Sequence, residues 1–218
     1  MQRKNIILIL CLLSAVVFTT ILRAAESDLL NQISSQVEQH PVVRAEFTQT
    51  KKMQALKRPL VTVGQLTYTH SQGVLWQILQ PYHVSYVLSE DKIIEIDANG
   101  LRKVRGLTEV PGLAQVGRIF RAMLGADIST LHSYFDVTAQ GGPGKWSLTL
   151  KPRQPQIAKY LSLIQLSGSN FIETIVISEA AGDSASIRFL KTQGAISLSE
   201  SESQLFGIAP VSNTSLEP

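Results

Sequence analysis

Residues 60–80 read LVTVGQLTYTHSQGVLWQILQ, and this stretch decides the fold. Leu66, Tyr68 and His70 alternate with Gln65, Thr67 and Thr69. After Ser71-Gln72-Gly73, Val74, Trp76 and Ile78 alternate with Leu75, Gln77 and Leu79. A period of two is that of a β-strand, and turn-forming residues between two such runs make a hairpin. Pro81 closes the second run, because proline cannot donate to a strand ladder.

The same pattern continues outward. Downstream, His83–Ser89, Lys92–Asp97 and Leu101–Val104 extend a meander, with turns at Ser89-Glu90-Asp91 and Ala98-Asn99-Gly100. Upstream, Val43, Ala45 and Phe47 oppose Arg44, Glu46 and Thr48. Before them, Leu29, Leu30, Ile33 and Val37 recur on one stripe of a helix over Glu26–Gln39, which Pro41 ends. After Pro111-Gly112 the period lengthens again: Leu113, Val116, Ile119, Phe120, Met123 and Leu124 form a broad helical face opposite Gln115, Arg118 and Arg121. Gly125 stops that helix, and Asp127 caps a shorter one through Ile128, Leu131 and Tyr134. Strand patterns resume at Phe135–Ala139, Lys145–Leu150, Leu161–Ser167, Ile172–Glu179 and Ala185–Leu190. The run Gln193–Gln204 is rich in Ser and Glu and is assigned no element, and residues 209–218 read as a disordered tail. The fold class is therefore mainly β (α+β), a single antiparallel sheet of about ten or eleven strands. A sheet of that size usually curls or closes, and the two amphipathic helices are its expected plug.

The N-terminus is a separate matter. Arg3 and Lys4 precede an uncharged apolar run from Ile6 to Leu22, the pattern of a secretory signal over residues 1–25, with a cut after Ala25. Arg23 stands where a small residue is usual, so an uncleaved inner-membrane anchor is the alternative. Residues 1–25 hold three of the 20 Lys and Arg and none of the 17 Asp and Glu, so the domain at 26–208 and its tail are formally neutral. That removes the electrostatic case for nucleic acid. Cys11 lies inside the apolar run, leaving no thiol or disulfide beyond it.

A search for chemistry finds no catalytic set. His40, His70, His83 and His132 lack ligand spacing, and no Gly-x-Ser-x-Gly elbow occurs. Gly141-Gly142-Pro143-Gly144 lies between strands with no following helix, and reads as a hairpin turn. Glu95 and Asp97 share a strand face read as solvent-facing. No metal, cofactor or enzymatic activity is expected. Leu66, Tyr68, Val74, Trp76, Ile78, Ile94 and Ile96 are assigned one inward parity. Periodicity alone fits two readings of them, an ordinary sheet core and the lining of a cavity for an acyl chain.

Several motifs in order resemble the periplasmic lipoprotein-carrier family LolA. They are Phe47-Thr48-Gln49, Gly64-Gln65-Leu66, Trp76, Gln80-Pro81 and Ser89-Glu90-Asp91-Lys92. Leu124-Gly125-Ala126-Asp127, Trp146–Pro152 and Gly182-Asp183 look like a branch found beside polyene and fatty-acyl biosynthesis genes. The resemblance covers residues 28–190. It implies an unclosed β-barrel whose apolar cavity holds acyl chains of a lipoprotein or other lipid. Val74, Trp76 and Ile78 would line that cavity, and the helix bearing Val116, Ile119, Phe120, Met123 and Leu124 would form part of the lid. The implied setting is the periplasm, with an inner-membrane release or export complex as donor, an outer-membrane acceptor, and a monomeric carrier. A periplasmic lipid sensor of the same fold is the first alternative, and an enzyme acting on acyl or glycan substrates is the second. His70-Ser71 stands where the family's carriers have an arginine, followed by proline, that bonds to the lid. His70 is thus the candidate latch, and its weaker charge implies a looser lid or a cargo other than triacylated lipoproteins; a strand-end histidine facing water is the other reading.

Overall fold

A computed structural model describes residues 27–106 and 111–208, and among these the side chains other than those of 111–114. The expected signal at 1–25 and the expected tail at 209–218 lie outside the described residues.

Helix α1 spans residues 27–37, and its stripe of Leu30, Ile33 and Val37 is buried. Six strands follow as a meander: β1 (Val42–Lys52), β2 (Leu60–Thr69), β3 (Gly73–Gln80), β4 (Val84–Leu88), β5 (Lys92–Asp97) and β6 (Arg102–Gly106). Helices α2 (Pro111–Leu124) and α3 (Ile128–Tyr134) interrupt them, the Asp127 side chain accepting from the Thr130 N–H as the cap of α3. Strands β7 (Phe135–Gly142) and β8 (Lys145–Pro152) form a hairpin through Pro143-Gly144. A single turn, α4 (Pro155–Ala158), leads to β9 (Leu161–Gly168), β10 (Ile172–Glu179) and β11 (Ser184–Ala195).

All eleven strands lie in one antiparallel sheet ordered β6-β5-β4-β3-β2-β1-β11-β10-β9-β8-β7. β1 at the centre pairs with both β2 and β11, while β6 and β7 are edges that do not pair with one another. The sheet is therefore curled and unclosed. A register shift between Arg44 and Glu46, where β1 meets β11, marks an irregularity of the kind that sharpens the bend.

The main core fills the concave face: α1 and α2 bring Leu30, Ile33, Ile119 and Met123 down onto Phe47, Trp76 and Leu166. Gly64 explains one detail of that packing. A Cβ there would strike the Gln77 carbonyl and the Phe47 ring, so a bare backbone lets Phe47 lie against the sheet.

The convex face carries an element the sequence reading did not assign. Helix α5 (Glu200–Phe206) is closed at its start by a capping box, in which the Ser199 hydroxyl accepts from the Glu202 N–H and the Glu202 carboxylate accepts from the Ser199 N–H. It ends at Gly207, whose φ of 79° suits glycine. Phe206 seals a second cluster with Leu75, Val87, Ile94 and Ile96. Arg44 fastens the helix from β1: its Nε donates to Glu202 Oε1 at 2.7 Å and its Nη2 donates to the other carboxylate oxygen. The Thr67 hydroxyl donates to the same carboxylate at 2.8 Å.

This arrangement corrects the parity of β5. Ile94 and Ile96 were expected beside Trp76, yet Ile94 pairs with Val87, and Val87 with Leu75, on the convex side. Both faces of β3–β5 are apolar because both are covered, so a period of two defines two faces without saying which is concave. By the same register Glu95 pairs with Tyr86 on the concave side, where it is half-buried.

Candidate functional site

Cross-strand rows build the site. On the concave face one row runs Leu66–Trp76–Tyr86–Glu95–Lys103 from β2 to β6, and its neighbour runs Tyr68–Val74–Leu88–Ile93–Arg105. Near β2 the rows are covered by α2 and belong to the packed core. Toward β6 the helix no longer fills the curl, and a cavity of about 520 Å³ opens. That size falls within the ~300–1,000 Å³ typical of small-molecule sites. Its floor includes Trp76, Ile78, Tyr86 and Ile93, and its roof is Val116 and Phe120 of α2.

Trp76 is the pivot. Phe47 stacks on it with ring centroids 3.7 Å apart, and Phe120 meets it edge-on at 5.4 Å. Aromatic pairs of this kind hold their rings in defined positions. The wall is thus stiff on the sheet side, while the roof residue Val116 is 61% exposed and has space beneath it.

The expected site residues divide into three groups. Trp76, Ile78, Val116 and Phe120 are brought together around the cavity. Leu66, Tyr68, Val74, Ile119, Met123 and Leu124 are buried in the adjoining main core. Ile94 and Ile96 are on the far side of the sheet. Sequence reading missed Tyr86, Leu88 and Ile93, as well as Ile177 and Ile187 from β10 and β11. The first three follow by carrying the Trp76 parity through the register, but the register is set by the bend at Pro81 and the hairpin at Ser89–Asp91, which the periodicity does not encode.

His70, the expected latch, lines a depression with Arg121, Ala122, Gly125 and Asp127 at the end of α2. It is exposed, and among the described residues its hydrogen bond pairs Nδ1 with the Tyr68 hydroxyl at 3.2 Å, not with α2 or α3. Tyr68 is the residue that meets the end of α2: a Cβ on Gly125 would collide with its hydroxyl. Burial raises the Tyr68 phenol to about 12, the Arg121 charge opposing and the Asp127 and Glu38 charges adding to the rise. The Ser34 hydroxyl donates to the Ala126 carbonyl at 3.0 Å and ties α1 to the same junction.

Among the described residues no group of three His, Cys, Asp or Glu side chains could hold a metal ion, and no helix is long and apolar enough to cross a membrane. The arrangement offers an apolar, partly open chamber with charge at one edge.

A family profile described as "Outer membrane lipoprotein carrier protein LolA-like" matches residues 22–187. No curated protein matches the chain. Solved structures similar to this chain at low identity include the following three. A chain of the MucA/MucB complex of Pseudomonas aeruginosa is 14% identical with a TM-score of 0.45, over 81% of this chain and 59% of that one. A LolA superfamily protein of Nitrosomonas europaea is 8% identical with a TM-score of 0.46, over 82% and 96%. The lipoprotein LppX of Mycobacterium tuberculosis is 12% identical with a TM-score of 0.42, over 79% and 99%. This chain thus spans about three fifths of the length of the Pseudomonas chain.

Proposed function

The chain belongs to the LolA-like family of outer membrane lipoprotein carrier proteins, and on that premise we propose that it is a periplasmic carrier of acyl chains. The supporting observation is the chamber of about 520 Å³ between the Trp76 floor and the Val116–Phe120 roof. An acyl chain entering it leaves water, and each buried CH₂ contributes ~0.8 kcal/mol. Delivery then requires only that the acceptor hold the chain more tightly than this cavity does, so no nucleotide or cofactor is called for.

In this reading residues 1–25 are the export signal, and the cargo is a lipoprotein or other lipid passed from an inner-membrane donor to an outer-membrane acceptor. Val116 and Phe120 form the moving side, since α2 roofs the chamber while the sheet beneath is stiffened by Phe47 against Trp76. Any latch by His70 acts through Tyr68, whose hydroxyl rests against Gly125 at the end of the lid.

Uptake of a fluorescent fatty-acyl probe tests the reading. Phe120→Asp places a carboxylate on the roof and, with circular dichroism unchanged, is expected to weaken uptake by about tenfold or more, because an unpaired charge against an acyl chain is costly. Equal uptake by both proteins would remove the chamber from the account.

A further inference from the structure

The wall of the chamber changes character at its last strand. Along both concave rows the residues are apolar through β4, mixed at β5, and cationic at β6, where Lys103 follows Glu95 and Arg105 follows Ile93. Lys103, Arg105 and Glu95 all line the cavity. The third cation of the strand is accounted for: Arg102 points to the convex side and donates to the carbonyls of Gln204 and Leu205 on α5, the latter at 2.7 Å. Lys103 and Arg105 have no such partners among the described residues, and none of the ion pairs there includes either of them or Glu95. Among the described residues that line the cavity, two cations against one carboxylate make the rim net positive. β6 is also one of the two edges of the sheet, with no strand beyond it among the described residues.

From this gradient we infer that the chamber takes an amphiphile with an anionic head, its chain on Trp76 and Phe120 and its carboxylate or phosphate at Lys103 and Arg105. The inference rests on the acyl-carrier reading and adds the class of head group. Long basic side chains can lie with their stems on the apolar wall and their charged ends at the water boundary. There they form charge-assisted hydrogen bonds to oxyanions, and Arg105 can bind two oxygens at once. Glu95 opposite Lys103 sharpens the selection, because it repels an anion placed deeper than the rim and keeps the head at the edge strand. Edge strands also carry charge simply to prevent pairing with other chains, and that role requires no preference among ligands.

The test uses the full chain and displacement of a neutral apolar fluorophore by hexadecanoic acid, hexadecyl phosphate and methyl hexadecanoate at low salt. The two anionic amphiphiles are expected to bind about tenfold more tightly than the ester, a difference of ~1.4 kcal/mol, the size of one modest hydrogen bond to a charged group. Lys103→Gln with Arg105→Gln is expected to abolish that difference, while Lys103→Arg with Arg105→Lys restores it. Inorganic phosphate alone is expected not to displace the fluorophore, since the chain supplies most of the binding. Equal affinity for all three amphiphiles in the unaltered protein, or a tenfold preference that survives the double Gln variant, overturns the head-group assignment and leaves the acyl cavity standing. Failure of the ester as well as the acids to bind overturns the cavity reading itself, and this inference with it.

Discussion

Replacing Glu202 by Gln isolates the contact that fastens α5 to the sheet. Burial raises the Glu202 carboxyl, but hydrogen bonds from Arg44, the Ser199 N–H, Thr67 and the Ser199 hydroxyl outweigh it and bring the group to about 2, against its ordinary 4.5. Taken at face value that depression corresponds to ~3 kcal/mol. The Arg44 side chain is 27% exposed and that of Glu202 12%, so solvent screening reduces it to about 1–2 kcal/mol. The sign follows from linkage: a depressed carboxyl stabilises the fold above its unfolded value and loses that contribution as pH falls through the folded one. Urea denaturation followed by the fluorescence of Trp76 and Trp146 should therefore show E202Q about 1–2 kcal/mol less stable at pH 7. The gap should narrow between pH ~5 and ~2, as the unaltered protein loses its ion pair. A deficit of equal size at pH 7 and pH 2.5 would refute the electrostatic account and leave only a packing or capping loss.

Two further outcomes are expected. Phe206→Ala empties the centre of the convex cluster and should cost about 3 kcal/mol in the same denaturation assay; acyl-probe affinity should be unchanged, because that cluster lies across the sheet from the chamber. Absorbance titration near 295 nm should find one tyrosine ionising well above the ordinary 10, near 12, and Tyr68→Phe should remove that late step. Because the folded value is the higher one, this group's contribution to stability is present below pH 10 and is lost as pH rises toward 12.

The parts of this molecule that were legible in its sequence share one property: their order is local. The stripe of Leu30, Ile33 and Val37, the hairpin around Ser71–Gly73 and the Asp127 cap are all decided by neighbours in sequence, and each forms where its pattern predicts. Trp76 and Phe120 could likewise be assigned to a shared apolar space, since each sits at the centre of a strongly periodic run. The fate of Ile94 and Ile96 was not legible, because it depends on α5, which arrives about a hundred residues later to cover the convex face. The signal for α5 was present in Ser199 and Glu202 ahead of Leu205 and Phe206, but a Ser- and Glu-rich background of this kind is also that of a solvated segment. The cationic rim is the same kind of case: the spacing of Lys103 and Arg105 places them on one face, and only the register with Glu95 and Ile93 shows that this face is the chamber's.

The central claim is that the chamber holds acyl chains, and native mass spectrometry of the gently purified full chain, followed by lipid extraction, addresses it most directly. The account predicts a bound acylated species on the unaltered protein and its loss from Trp76→Glu, whose circular dichroism matches. A protein that is empty as isolated and that also refuses a fluorescent acyl probe would contradict it, and the apolar wall around Trp76 would then be core and nothing more.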